Sequence, residues 1–566
     1  MIRSGPTGAG AAVGRWGNVK HPRMAARVLA VVAVLALVAT ACGGDDGGQG
    51  GGGKVGGTLV FGASSDPVSL DPAFVSDGES IRVIYQMFEG LTRTKDGSFD
   101  VVPSLAKSWK PDAAGTSYTF ELQTGVKFHD GTDFNAEAVC FNFNRYYAFR
   151  GPILQSDAVT YYWVTVFGGF GDKPETSLYK SCQATDADTV VINLTKPSSS
   201  FLAALTLPAF SIQSPTALKQ YNADKVTGSA DAPKFEGTYG LQHPTGTGPF
   251  KFQSFTAKDR TVIVRNDAYW GTKAKLDSVI FRAIEDNAAR RQALETGEIQ
   301  MFENPDPADL ASLKSSQQVQ QRDPLNVGYV GFNLKHKPLD NIKIRQAIAH
   351  ALNKKALLQA KYPEGAVEAT QFLPPLIPGF NPDVTKYEYS VDKAKALIAD
   401  SGVTDLTLEF WYPTSISRGY MPDPAANFQA FKADLEAVGF KVVPKTAPWR
   451  PTYLNAIQSG QAPVYLFGWL ADFGDADNFV GVFFQQFSAQ WGFTNQDIFS
   501  TLDAAEREVD PAKRVDLYKQ ANKKISDFVP GVPYVYPTVY MVMAKNVRGF
   551  IPSPINLERY SIVSFA

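Results

Sequence analysis

Between Leu406 and Asp472 the hydrophobic period of the chain switches repeatedly, and this alternation limits the possible folds more than any other feature. Leu406, Leu408, Phe410 and Tyr412 fall at every second position, the period of a strand, whereas Phe428, Phe431, Leu435 and Val438 fall three and four apart, the period of a helix. A short strand is predicted over Phe440 to Lys445. A second helix follows, marked by Tyr453, Ala456 and Ile457 and closed by Gly460. The apolar run Val464 to Leu470 then has the length and composition of a strand buried on both faces, and it exits through Ala471 onto Asp472 and the turn-forming Phe473-Gly474-Asp475. The order strand, helix, strand, helix, strand with short connections predicts an α/β protein with a parallel sheet and right-handed crossovers. In such sheets ligands bind outside the carboxyl ends of the strands. Arg418, just past the first strand, and Asp472, just past the third, are expected at that rim, where a cation and an anion on one edge can grip a zwitterion.

A chain of 566 residues is too long for one core and predicts two or three domains. Its 44% apolar and 12% aromatic content is ample for globular burial, and a formal net charge of -1 gives no support for a nucleic-acid or anionic-membrane partner. Five scattered histidines, with no paired-cysteine or His-Glu-x-x-His spacing, predict no metal site, and nothing in the sequence calls for a cofactor.

At the N-terminus Arg15, Lys20, Arg23 and Arg27 precede the uncharged run Val28 to Thr40, which has the length of a signal-peptide core and is short for a membrane span. Ala39-Thr40-Ala41-Cys42, followed by a glycine-rich tract, is similar to a bacterial lipobox, although an aliphatic residue is usual where Ala39 stands. Residues 1–41 are therefore expected to be a removed signal peptide and 42–56 a tether carrying a lipid on Cys42. The alternative is an ordinary secreted protein in which Cys42 is incidental. Either way the mature chain is extracytoplasmic. Cys140 and Cys182, the other two cysteines, are then either bridged, as an even pair in an oxidising compartment tends to be, or two buried reduced thiols.

The mature fold is expected to open with a strand at Thr58 to Ala63 and a helix with Ile81, Ile84, Tyr85, Phe88 and Leu91 on one face. Further on come Pro103 to Trp109, Tyr118 to Leu122, Gly125 to Gly131, and a helix with Asn135 as N-cap and Glu137 in its first turn. The stretch Leu105 to Arg145 resembles the signature region of the extracytoplasmic solute-binding proteins of ABC importers, family 5, the peptide and nickel cluster. Gly246-Thr247-Gly248-Pro249-Phe250, Asn266 to Trp270, and Asn326 to Lys354 with Phe332-Asn333 and Arg345 to Ile348 extend the likeness, in order, from about Gly57 to Ala566.

The resemblance implies a two-lobed periplasmic-binding-protein type II fold (a Venus flytrap) with an extra subdomain inserted in lobe 1. It places lobe 1 at 57–328, with the inserted subdomain at about 86–204, lobe 2 at 329–537, and a return to lobe 1 at 538–566. Crossings are expected near Val327 to Gly331 and Tyr534 to Val539, and Cys140 and Cys182 would staple the subdomain. Ser415 to Pro422 and Gly468 to Asp472 resemble the two pocket segments of the dipeptide-binding branch. There an Arg at the position of Arg418 meets a peptide carboxylate and an Asp at the position of Asp472 meets the α-ammonium; Trp469 and Tyr420 are candidate pocket walls. Two departures bear on peptide length: Gly419 stands where the branch often has proline, and Phe473 to Asp477 lacks the usual Asp-Pro. The expected function is capture of di- or oligopeptides by lobe closure and delivery to a membrane permease and its ATPase, by a lipid-anchored monomer without catalysis. The rivals are a protein of the same fold for a metal chelate, an oligosaccharide or a modified amino acid, and a secreted hydrolase. Against the hydrolase stand the missing Gly-x-Ser-x-Gly elbow, zinc helix and phosphate loop.

Overall fold

The computed structural model describes residues 54–156, 159–230, 232–322, 325–414 and 416–566. The signal-peptide reading, Cys42 and nearly all of the glycine-rich tether lie outside them. Two large sheets organise the rest. The first has seven strands in the order Phe250–Thr256, Arg260–Arg265, Ser278–Ala283, Thr58–Ala63, Met301–Glu303, Val539–Met543, Gln318–Arg322. Thr58–Ala63 runs parallel to both of its neighbours. The chain passes from this sheet to the second between Arg322 and Asn326, and returns between Tyr536 and Val539.

The second sheet has six strands, ordered Val367–Glu368, Gly531–Tyr536, Asn326–Phe332, Val464–Leu470, Thr407–Thr414, Lys441–Pro448. Its last three strands are those expected between Leu406 and Asp472, and Thr407–Thr414 is parallel to both Lys441–Pro448 and Val464–Leu470. The intervening helix is Pro424–Ala437, capped by the Asp423 carboxylate. The second helix is Leu454–Gln458, where the pattern of Tyr453, Ala456 and Ile457 put it, and it is entered through one wide turn at Trp449–Tyr453. Apolar clusters cover both faces of this sheet. Accordingly all seven residues of Asn326–Phe332 are buried, as expected for a strand sandwiched between two layers.

The first helix, Gly78–Met87, ends before Phe88 and Leu91, which are buried beyond it in irregular chain. Arg82 on this helix enters a buried ionic cluster. Its guanidinium meets Glu303 at 2.6 Å, while Arg322, the last residue before the first crossing, meets Glu303 at 2.7 Å and Glu558 at 2.6 Å. Burial alone would push the Glu303 carboxyl up, yet Arg82 and Arg322 together hold it down to about 2.

A third sheet of four strands, Ala106–Pro111, Ser117–Leu122, Thr189–Leu194 and Tyr179–Ala184, forms a subdomain built on the first lobe. Asn135 caps its main helix, Ala136–Tyr147, by accepting from the Ala138 N–H at 2.9 Å. Its core is aromatic: Tyr146 stacks on Trp163 at 5.0 Å between ring centres, with Phe143, Phe167 and Tyr179 around them. Cys140 on that helix is bonded to Cys182 on the edge strand Tyr179–Ala184, closing a separation of 42 residues. Replacing both cysteines by serine is expected to cost roughly 3–4 kcal/mol by the loop-closure estimate, read as a lowered urea midpoint; an unchanged midpoint would show that the bond contributes nothing.

Candidate functional site

The carboxyl ends of Thr407–Thr414 and Val464–Leu470 deliver the two charged candidates. Asp472 lies two residues past its strand, where a compact hydrogen-bonded turn holds it. Its own N–H donates to Asn478 Oδ1 at 2.8 Å, and Asn478 Nδ2 donates back to Asp472 Oδ2 at 3.1 Å. The other oxygen, Oδ1, accepts from the Tyr162 hydroxyl at 3.2 Å. Among the described residues no cation is paired with Asp472. Burial pushes its carboxyl from 3.8 up to about 6, and the hydrogen bonds from Asn478 and Tyr162 recover only part of that cost. This carboxylate is desolvated, oriented and short of a positive partner.

Arg418 sits in the loop after Thr407–Thr414, exposed, with its guanidinium 5.7 Å from the centre of the Trp449 ring. It makes no ion pair among the described residues, so the two charged candidates do not neutralise one another. Trp449 stacks in turn on Phe467 at 5.4 Å. Two residues along the strand, about 7 Å away on the same face, Trp469 meets Phe483 edge-on at 5.3 Å and directs its indole N–H to Asn478 Oδ1 at 3.4 Å. An aromatic strip thus runs from Arg418 to the turn that holds Asp472. Tyr420 is placed differently from the other candidates. It is buried in the second lobe, its ring lies against Gly468, and its carbonyl accepts from the hydroxyls of Tyr362 and Tyr534. Burial raises its own hydroxyl pKa, with the Arg418 charge opposing.

The segment after Asp472 joins the lobes. Phe473 is buried in the aromatic core of the subdomain, and Gly474 lies so close to Phe99 that a Cβ there would stand 2.3 Å from the Phe99 Cβ. Nearby, Lys196 of the subdomain meets Glu506 of the second lobe at 3.2 Å, and the Ser199 hydroxyl donates to the Glu506 carbonyl at 2.7 Å. Asp475 takes both arms of Arg514, at 2.6 and 2.8 Å. Asp477 is pushed up to about 7, chiefly by burial and then by the charges of Glu506 and Asp475.

Three site residues escape sequence reasoning. Tyr162 comes from a short subdomain helix 310 positions away, Asn478 reads as an ordinary polar turn residue, and Trp449 reads as packing.

Residues 100–491 match the family described as bacterial extracellular solute-binding proteins, family 5 Middle. The chain belongs to this family. The dipeptide-binding protein of Escherichia coli K12 is 31% identical to this family 5 solute-binding protein over 522 residues, covering 90% of this chain and 94% of the relative. Haem-binding protein A of Haemophilus influenzae is 31% identical over 521 residues, covering 90% and 92%. Among solved structures, the periplasmic binding protein DppA of Helicobacter pylori, in complex with the peptide STSA, superposes with a TM-score of 0.75 at 27% identity, covering 90% of this chain and 98% of that one. The fold of this family 5 protein is accordingly the two-lobed one, and its place is extracytoplasmic.

Two consequences of the site geometry can be measured. Because the folded state holds the Asp472 proton more tightly than the unfolded chain does, this group's contribution to stability is present below its ordinary value of 3.8 and is lost as pH rises through about 6. Asp472→Asn is therefore expected to stabilise the ligand-free protein at pH 7.5 by roughly 1–3 kcal/mol and to flatten this part of the pH profile, as read by urea denaturation; a destabilised variant would mean that an unseen cation already pairs with Asp472. Gly474→Val should press on Phe99 and disfavour lobe contact by roughly 1–3 kcal/mol, seen as a larger radius of gyration in small-angle scattering. Coincident curves would show that this contact does not limit lobe approach.

Proposed function

We propose that this protein captures short peptides with free termini between its lobes and passes them to an ABC permease, Asp472 taking the α-ammonium and Arg418 the carboxylate. The observation that carries this reading is the half-buried Asp472 carboxylate, oriented by Asn478 and Tyr162 and lacking a cation among the described residues. A desolvated ammonium needs such a partner, and the planar fork of an arginine matches a carboxylate. The aromatic strip between them accepts varied side chains with little selectivity. Names of relatives point the same way, since the Escherichia coli protein is a dipeptide-binding protein and the Helicobacter pylori structure holds a peptide. Haem, named for the Haemophilus relative, is less suited to these residues, none of which is a histidine.

In this reading lobe 1 runs from 57 to the first crossing between Arg322 and Asn326, a few residues earlier than the expected 328, and resumes at Val539, with the subdomain at about 86–204; lobe 2 runs from Asn326 to Tyr536. Peptide lands on one lobe, the lobes rotate about the two crossings, and water is expelled so that the charged contacts strengthen in a lower dielectric. Only a higher affinity for the closed state drives this motion. Because Tyr162 belongs to the subdomain and Asp472 to lobe 2, closure itself completes the ammonium site. The mature protein works as a monomer, held beside its permease and ATPase by a lipid on Cys42.

The test is a thermal-shift series with di-, tri- and tetrapeptides, each also supplied with blocked termini. A free-ended peptide at a hundred times its dissociation constant should stabilise the wild type by about 2.7 kcal/mol, whereas N-blocked peptides, and any peptide with Asp472→Asn, should give no shift. Equal shifts from blocked and free peptides would show that Asp472 does not hold the peptide ammonium.

A further inference from the structure

A cavity of about 250 Å³ opens in the second lobe and shares no residue with the site above. It lies where the end of helix Ile342–Ala351, the start of helix Lys354–Lys361 and the end of helix Pro511–Phe528 meet the strand Gly531–Tyr536. Phe372, Ile525 and Val532, all nearly inaccessible, give it an apolar lining.

Into this lining the fold places the charged end of Lys354, whose side chain is only 6% exposed. An ammonium carries three N–H donors. Among the described residues its acceptors are the Ala369 carbonyl at 3.3 Å and a Glu368 carboxylate oxygen at 3.4 Å, two long contacts for three donors. Burial pushes the Lys354 amine below the ordinary lysine range, with Glu368 opposing. Glu368 is 43% exposed and so can exchange its hold on Lys354 for water at little cost. A second cation, Lys386, stands exposed at the rim with no ion pair among the described residues, next to the equally exposed Glu388. The interior therefore offers one under-coordinated positive charge against apolar walls, the complement of an anion with a hydrocarbon body.

We propose that this cavity is a second binding site, for a small apolar monocarboxylate whose carboxylate pairs with Lys354 and Lys386 and whose body lies among Phe372, Ile525 and Val532. A branched aliphatic or an aromatic acid has the required chemistry. The proposal is independent of the peptide reading, since it uses neither Asp472 nor Arg418.

Titration calorimetry with phenylacetate, and with 2-phenylethanol as the uncharged counterpart, tests it on the mature wild type, Lys354→Met and Lys386→Glu. Phenylacetate should bind the wild type, at least roughly tenfold more weakly the Lys354→Met variant, because a buried charge pair is lost, and several-fold more weakly the Lys386→Glu variant; 2-phenylethanol should give no heat of binding. Lys386 is exposed, so its variant leaves the packing intact and decides the matter if Lys354→Met does not fold. The proposal is overturned if phenylacetate gives no heat with wild type up to ~10 mM, a range that includes the millimolar affinities of weak sites, or if it binds the Lys386→Glu variant as tightly as the wild type.

Discussion

The central seam of the second sheet is the constraint on which the rest of the molecule depends. Asn326–Phe332, the strand that arrives from the first sheet, is hydrogen-bonded on one side to Val464–Leu470, which carries the site, and on the other to Gly531–Tyr536, which leads back. Both lobe crossings and the binding strand thus form one ribbon, with no loop between pivot and site to absorb motion. Close packing makes the ribbon stiff. Tyrosine rings lie where glycine leaves room: Tyr465 over Gly331 and Tyr420 over Gly468, each so close that a Cβ would collide with the ring. The buried cluster of Arg82, Glu303, Arg322 and Glu558 fixes the other end of the arriving crossing in the first lobe.

Three carboxylates in the seven residues that follow the site strand meet three different fates, and the differences are electrostatic. Asp475 is neutralised by a bidentate arginine and serves as an anchor. Asp477 is half-buried beside two other acids, and desolvation together with their charges drives its proton affinity up. Asp472 is held by the neutral donors Asn478 and Tyr162 with no cation acting on it among the described residues, so it keeps an unanswered preference for a positive charge. A cation can answer that preference without first displacing a resident partner.

How much of this was legible in the sequence follows from the range over which each signal acts. The strand and helix alternation from Leu406 to Asp472 is visible because side-chain period is a local property, and the structure has the parallel strands it implied. Arg418 and Asp472 could be placed at a rim because strand ends are local too. The second helix, marked by Tyr453, Ala456 and Ile457 and closed by Gly460, is legible for the same reason, whereas no side-chain period announces the wide turn Trp449–Tyr453 that leads into it. Tyr162 was invisible for a different reason: Tyr161-Tyr162-Trp163 reads as core, and only the tertiary fold brings one of its hydroxyls to a carboxylate in the other lobe. Tyr420 is a candidate pocket wall because it is an aromatic residue in the segment Ser415 to Pro422 that resembles a pocket segment. Its ring instead lies against Gly468, a slot that no local pattern discloses.

Phe473 sits immediately beside the carboxylate yet is buried among the aromatic residues of the opposite lobe. Parting the lobes would draw this ring into water, and a phenylalanine side chain hides on the order of 150 Å² or more when packed. Such burial lowers heat capacity whatever the ligand. Even a wholly polar solute, if it binds by bringing the lobes together, would therefore associate with the heat-capacity decrement of a hydrophobic event, most of which belongs to the protein closing on itself.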